Sequence, residues 1–163
     1  MELDPKASQQ SPDFPDCFYR VTVKGLIVRD GKLLMAHDFA GSAAKAKGGE
    51  WELPGGGLDF GEEPRTALAR EIREEMGLEV TSTSDKPIYL WTCKREMRRG
   101  MQWHYILGVA YEIEVDSLNF IPSEECQAIK FFTKEELLAL RAENKLGDQM
   151  CPFVDMFNPE DFK

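Results

Sequence analysis

The chain has 163 residues, 42% hydrophobic and 30% charged, which is ordinary single-domain size with enough apolar material for a full core. Its net charge of −9, from 29 acidic residues against 20 Lys and Arg, excludes the clustered basic surfaces by which proteins hold DNA, RNA or anionic lipid nonspecifically. Small phosphorylated partners stay open, because a bound cation reverses the local field.

Residues 1–16 are polar, carry three prolines and have no apolar period, so they are expected to form a flexible arm ahead of one domain over residues 17–163. That arm lacks the basic and apolar regions of a signal peptide, and no apolar run approaches about 18 residues, so a cytoplasmic protein with no membrane partner is expected. Cys17, Cys93, Cys126 and Cys151 lie far apart, without a CxxC or a nearby His pair. Free thiols in a reducing compartment are expected in place of a zinc site or a disulfide framework.

From Cys17 the segment CFYRVTVKGLIV is rich in β-branched and aromatic residues, Asp30-Gly31 is a turn signal, and KLLMAH follows. The pattern predicts two antiparallel strands joined as a hairpin. Residues 39–50 are small and glycine-rich and include Lys45 and Lys47, which suits either a surface loop or a loop that closes over a phosphate. Trp51-Glu52-Leu53-Pro54 reads as a short strand leading into Gly55-Gly56-Gly57, where no Cβ blocks close approach.

The next segment predicts a helix. Pro64 suits its first turn, Glu62 and Glu63 favour the positive end of its dipole, and Gly77 is placed for a left-handed C-cap. Leu68, Ile72 and Met76 recur at i, i+4, i+8 and form a stripe that can bury against a sheet. Glu71, Glu74 and Glu75 fall at i, i+3, i+4 on another arc. Like charges gathered this way repel, and a divalent cation gives a reason to gather them, since clustered carboxylates suit a hard ion such as Mg²⁺ or Mn²⁺. An exposed face paired through Arg70 and Glu74 at i, i+4 is the competing reading of the isolated segment.

Beyond it, Val80 to Thr83 and Ile88 to Arg95 look extended, REMRRGMQ carries a turn, and WHYILGVAYEIEV is a long strand whose apolar middle belongs in a covered sheet. SLNFIPSEECQA reads as a loop and IKFF as a short strand. Thr133 and Glu136 form a capping box that opens a second helix, and the tail from Lys145 fits either a short helix or a surface path. Strands, central helix, strands and late helix together imply an α/β/α sandwich.

Gly56, Glu62, Arg70-Glu71-Ile72, Glu74-Glu75 and Gly77-Leu78 match every fixed position of the Nudix box, so the chain resembles the Nudix hydrolases, the MutT-like family. The resemblance implies an α/β fold of the Nudix type, a mixed central sheet sandwiched between helices. It implies Mg²⁺-dependent hydrolysis of a nucleoside triphosphate or another nucleoside diphosphate derivative (NDP-X to NMP and P-X), with Mn²⁺ as an alternative ion. Glu71, Glu74 and Glu75 would be metal ligands, and Glu62 and Arg70 would hold loop and helix together. Gly56 and Gly57 would let phosphate or metal approach. The general base would come from the later loop or from the box, in the order Glu125, Glu71, Glu124. Lys45 and Arg98, with Lys47, Lys94 and Arg99, could grip phosphates, and Phe39, Trp91, Trp103 and Tyr105 could stack on a base. Thr92 stands where the ADP-ribose type would show Pro, and no Tyr lies near Lys94 and Arg95 where diadenosine polyphosphate hydrolases would show one. The coenzyme A and NADH markers are also missing. A homodimer is a further family expectation. A ligand-sensing Nudix module without turnover, and an isopentenyl diphosphate isomerase on the same fold, are the alternatives.

Overall fold

A pair of parallel strands sets the architecture. β1 (Tyr19–Leu26) runs alongside β7 (His104–Val115), with Tyr19 opposite Tyr105 and Leu26 opposite Glu112. The protein is seen as a computed structural model that describes residues 19–38, 48–95 and 104–162. β7 also pairs antiparallel with β5 (Val80–Thr83) and β6 (Tyr89–Arg95), completing a four-stranded sheet. A second four-stranded sheet forms around β3 (Lys32–Asp38), which pairs antiparallel with β2 (Val28–Arg29), β4 (Glu50–Glu52) and β8 (Ala128–Phe132). The mixture of parallel and antiparallel ladders is the one expected.

Alternation along the strands feeds two cores. In β3, Leu34 and Ala36 join Val23 and Ile27 beneath helix α1 (Pro64–Met76), whose Leu68, Ile72 and Met76 are fully buried. Each such side chain contributes about 1.5–3 kcal/mol on burial, against roughly 0.2–0.5 kcal/mol for an exposed i, i+4 ion pair. The apolar stripe therefore holds α1 in place, and its charges are free to serve another purpose. On the opposite face, Leu33 and Met35 join Leu26 and Trp91 against α2 (Lys134–Ala142) and α3 (Met150–Met156), which supply Leu137, Phe153 and Val154. Helices thus cover both faces, giving the α/β/α sandwich of the Nudix type.

One expectation needs correcting. Asp30 and Gly31 do make the tight turn, with φ of 51° and 72°, but the hairpin it closes is only β2 with the start of β3. The last bond to β3 is from Leu34 N–H to the Ile27 carbonyl at 2.9 Å, and β1 before it pairs in parallel with β7 instead of antiparallel with β3. The reason is burial. Residues 22–26 are all buried, so β1 belongs in an interior position, and it lies between β7 and the segment that leads through the glycines.

The capping box of α2 is present, with Thr133 N–H donating to Glu136 at 2.7 Å and Glu136 N–H donating to Thr133 Oγ1 at 3.2 Å. The tail resolves into α3 and a 3-10 turn at Pro159–Phe162. Lys134 Nζ donates to the carbonyls of Val154, Asp155 and Phe157 at the end of α3, and Tyr89 Oη bonds to Asp161. Burial and the Asp161 carboxylate push the Tyr89 phenol up to about 12. Cys126 is a buried free thiol. Burial pushes the Cys126 thiol up to about 11. The arm at residues 1–16, Cys17 and the turn between β6 and β7 lie outside the described residues. No helix among the described residues is long and apolar enough to cross a membrane.

Candidate active site

Helix α1 begins and ends as its sequence dictates. The Glu63 carboxylate accepts the Thr66 N–H at 2.9 Å, Pro64 occupies the first turn, and Gly77 closes the helix at φ 66°. Ahead of it, Glu62 and Arg70 form a two-pronged pair, Nε and Nη2 each donating at 2.9 Å. Arg70 also donates to Glu71 at 2.8 Å, to Glu74 at 3.2 Å and to the Gly57 carbonyl at 3.4 Å. The guanidinium is thereby pushed further above its ordinary range, by Glu62 first and Glu71 second. The hydrogen bond from Arg70 in turn holds the Glu62 carboxyl below its usual value.

The three box glutamates behave differently. Glu71 lies against Gly56, where a Cβ would collide with its carboxylate. Glu75 turns inward and accepts the Gly55 N–H at 3.1 Å. Burial pushes the Glu75 carboxyl up to about 7, a shift that Lys24 and the Gly55 bond only partly offset. Glu74 faces solvent, with a side chain 59% exposed, and leans on Arg70. Among the described residues, no three Asp, Glu, His or Cys side chains stand ready as a metal cage. Arg70 instead holds Glu71 and Glu74 to itself, at 2.8 and 3.2 Å.

The chemistry of the donors fits a hard divalent ion all the same. A carboxylate drawn partly out of water, as Glu75 is, is costly to ionise, and a bound cation removes that cost. Glu75 and Glu125 line one cleft of about 210 Å³, together with Lys24, Glu52, Asp38 and Cys126. Glu125 is brought there by Ser123, which the sequence did not mark. The Ser123 hydroxyl donates to the Glu75 carbonyl at 2.9 Å and accepts the N–H groups of Glu125 and Cys126 at 3.2 and 3.0 Å. Glu124 is exposed on the same loop and is not among the residues lining the cleft.

A Cβ at Gly57 would meet only the end of the exposed Arg20 side chain, which can swing aside. Of the phosphate-gripping candidates, Lys45, Lys47, Arg98 and Arg99 lie outside the described residues, as do Phe39 and Trp103. Trp91 belongs to the core at 5% exposure and donates its indole N–H to the Gln149 carbonyl at 2.8 Å. Tyr105 stacks on Tyr19 with ring centres 5.6 Å apart.

A family model for the NUDIX domain matches residues 18–151. The chain belongs to the Nudix family. It is 31% identical over 126 residues to a MutT-like protein of Streptomyces ambofaciens, spanning 77% of this chain and 71% of that one. A CTP pyrophosphohydrolase of Escherichia coli is 46% identical over 59 residues, which cover 36% of this chain and 42% of the relative. Among solved structures, the E. coli ORF135 protein superposes with a TM-score of 0.63 at 26% identity, covering 85% of this chain and 88% of that one. As a MutT-like Nudix hydrolase, the protein is an enzyme of phosphoanhydride bonds.

Proposed function

We propose that this Nudix hydrolase is a Mg²⁺-dependent pyrophosphohydrolase that cleaves a nucleoside triphosphate or another nucleoside diphosphate derivative, releasing a nucleoside monophosphate and P-X. The observation that carries the reading is the Glu75 carboxylate, partly buried and held by the Gly55 N–H in one cleft with Glu125. Relatives named for CTP pyrophosphohydrolase, 8-oxo-dGTP diphosphatase and nucleoside triphosphatase activity support the substrate class.

Glu71, Glu74 and Glu75 would hold the ion, Mg²⁺ or Mn²⁺, with Glu74 exchanging its contact with Arg70 for it. When bound, such an ion neutralises diphosphate charge, lowers the pKa of a coordinated water and stabilises the leaving phosphate. The chain's own residues do the rest. Glu62 and Arg70 brace the loop against the helix, which fixes the bearing of Glu71. Gly56 and Gly57 let the backbone approach a phosphate. Glu125 accepts the proton of the attacking water, with Glu71 next in order. Lys45 and Arg98 remain candidates for binding the phosphates.

The test is a nucleotide panel in Mg²⁺ with products identified by mass spectrometry. Metal-dependent appearance of a nucleoside monophosphate is expected, with loss of turnover in Glu75→Gln. Binding of nucleotides by calorimetry with no turnover across the panel would overturn the reading.

A further inference from the structure

We infer that Lys24 is a positioning residue of the hydrolytic site, fixing the glycine loop and, through Gly55, the carboxylate of Glu75. The inference rests on the metal-dependent reading above.

Lys24 lies in the interior of β1, and its side chain is 4% exposed. It shares a strand face with Leu26, a core residue, so the period of the strand calls for an apolar side chain there. An ammonium in such a place is costly unless fully partnered, so its retention asks for a reason.

The partners supply one. Lys24 Nζ donates to the carbonyls of Leu53 and Gly55 at 3.1 and 2.5 Å and lies 3.5 Å from Glu52. The backbone of β1 takes the carbonyls between and beyond these, with Gly25 N–H donating to Pro54 and Val23 N–H to Gly56, both at 2.9 Å. Residues 23–25 therefore satisfy four consecutive carbonyls, those of Leu53, Pro54, Gly55 and Gly56. The backbone reaches every second one, and only a side chain rising off the sheet can reach the others.

Gly55 is the link to the chemistry. It has φ 113°, and a Cβ there would collide with the Val23 carbonyl, so no other residue fits. Its carbonyl is held by Lys24 while its N–H holds Glu75. Lys24 and Glu75 also line the same cleft, and the Lys24 charge opposes the rise in the Glu75 pKa. Loss of Lys24 frees Gly55 to rotate and removes the bond that orients Glu75. The action is thus on the geometry of the ion's ligand and not on the substrate.

The experiment is a double-mutant cycle between Lys24→Met and Glu75→Gln, read by Mn²⁺ affinity of the nucleotide-free protein in calorimetry and by kcat and KM separately. Lys24→Met should weaken Mn²⁺ binding about 10- to 100-fold and lower kcat similarly, with KM for nucleotide changed less than about threefold. The double variant should lose little beyond Glu75→Gln alone, because the two residues act in one chain of contacts. A purely structural lysine would lower the melting temperature while leaving Mn²⁺ affinity in place. Wild-type Mn²⁺ affinity in Lys24→Met, or losses that multiply in the double variant, would overturn the inference. Should Lys24→Met fail to fold, Lys24→Gln keeps an amide NH2 donor without the charge and runs the same cycle with the same two outcomes. Glu75→Gln by itself tests the underlying reading. If that variant retains Mn²⁺ affinity and turnover, the metal site falls; if it loses both and the Lys24 variants do not, only the role of Lys24 falls.

Discussion

Two cations grip the glycine loop, and they do so in opposite surroundings. Arg70 holds the Gly57 carbonyl from the wet side with a side chain 30% exposed, and it shares its charge among Glu62, Glu71 and Glu74. Lys24 holds Leu53 and Gly55 from the dry side, 4% exposed, with Glu52 as its paired carboxylate. The contrast separates two ways of building an acidic site. On one side carboxylates are restrained by an arginine that water also screens, and on the other a carboxylate is left short of partners in a place where charge is expensive. On the proposed reading, only the second arrangement creates demand for a further cation.

Glu75→Gln attacks the demand itself and should have the largest effect. A ligand supplying several kcal/mol of charge stabilisation is worth about 10²- to 10⁴-fold in turnover. Steady-state rates in saturating Mg²⁺ check this. A loss equal for Glu74→Gln and Glu75→Gln would show that the exposed member of the pair turns fully onto the ion, whereas a smaller loss for Glu74→Gln would leave it partly with Arg70.

Removing the dry cation should cost more stability than removing the wet one. Lys24→Met leaves the carbonyls of Leu53 and Gly55 without this donor and Glu52 with Gln149 but no cation, a change in the range of about 3–5 kcal/mol for a broken buried pair. Arg70→Met breaks bonds that solvent can partly replace, at roughly 1 kcal/mol or less. Urea unfolding of the two variants without metal measures the difference, and equal midpoints would dissolve the distinction drawn between the two sides.

The wet side was legible in the sequence and the dry side was not. Helix α1 announces itself through a stripe at i, i+4, i+8, a proline at its start and a glycine at its end, and its spacing alone puts Arg70 within reach of Glu74. Lys24 looks like any lysine that interrupts a strand, because its partners are 29 and 31 residues away and include backbone carbonyls, which carry no letter. Ser123 was hidden for the same reason, since it reaches across 48 residues to a main-chain oxygen. The parallel pairing of β1 with β7 was masked by a strong local turn at Asp30-Gly31, which made the shorter hairpin look like the whole of it. Gln149, which donates to Glu52 at 2.7 Å from the tail, stands in a segment with no clear period.

Replacing Arg70 conservatively tests the wet side in finer detail. Arg70→Lys keeps the charge but cannot hold Glu62 in two places while reaching Glu71 and Glu74. Mn²⁺ affinity should fall about 10- to 100-fold, with the fold and its melting temperature nearly intact. An unchanged affinity would mean that charge, and not the planar fork, braces the loop.

Acid gives the mildest perturbation and pulls the two sides in opposite directions. Glu62 has its folded pKa depressed by Arg70, so its contribution to stability is present above about 4.5, its ordinary value, and is lost as pH falls through the lower folded value. Glu75 is the reverse case. Its folded pKa of about 7 exceeds the ordinary 4.5, so the metal-free fold is most favoured, as far as this group goes, below 4.5 and loses that advantage as pH rises toward 7. The windows are adjacent, which lets one titration resolve them. Melting temperatures in EDTA should show the wild type gaining on Glu75→Gln between about pH 7 and 5, then losing to Glu62→Gln below about pH 4.5. Saturating Mg²⁺ should abolish the first trend, because an ion on Glu75 favours the same ionised form that burial opposes. A wild-type curve that runs parallel to Glu75→Gln across the upper window, with and without Mg²⁺, would show that this carboxylate is neither strained by burial nor relieved by a cation.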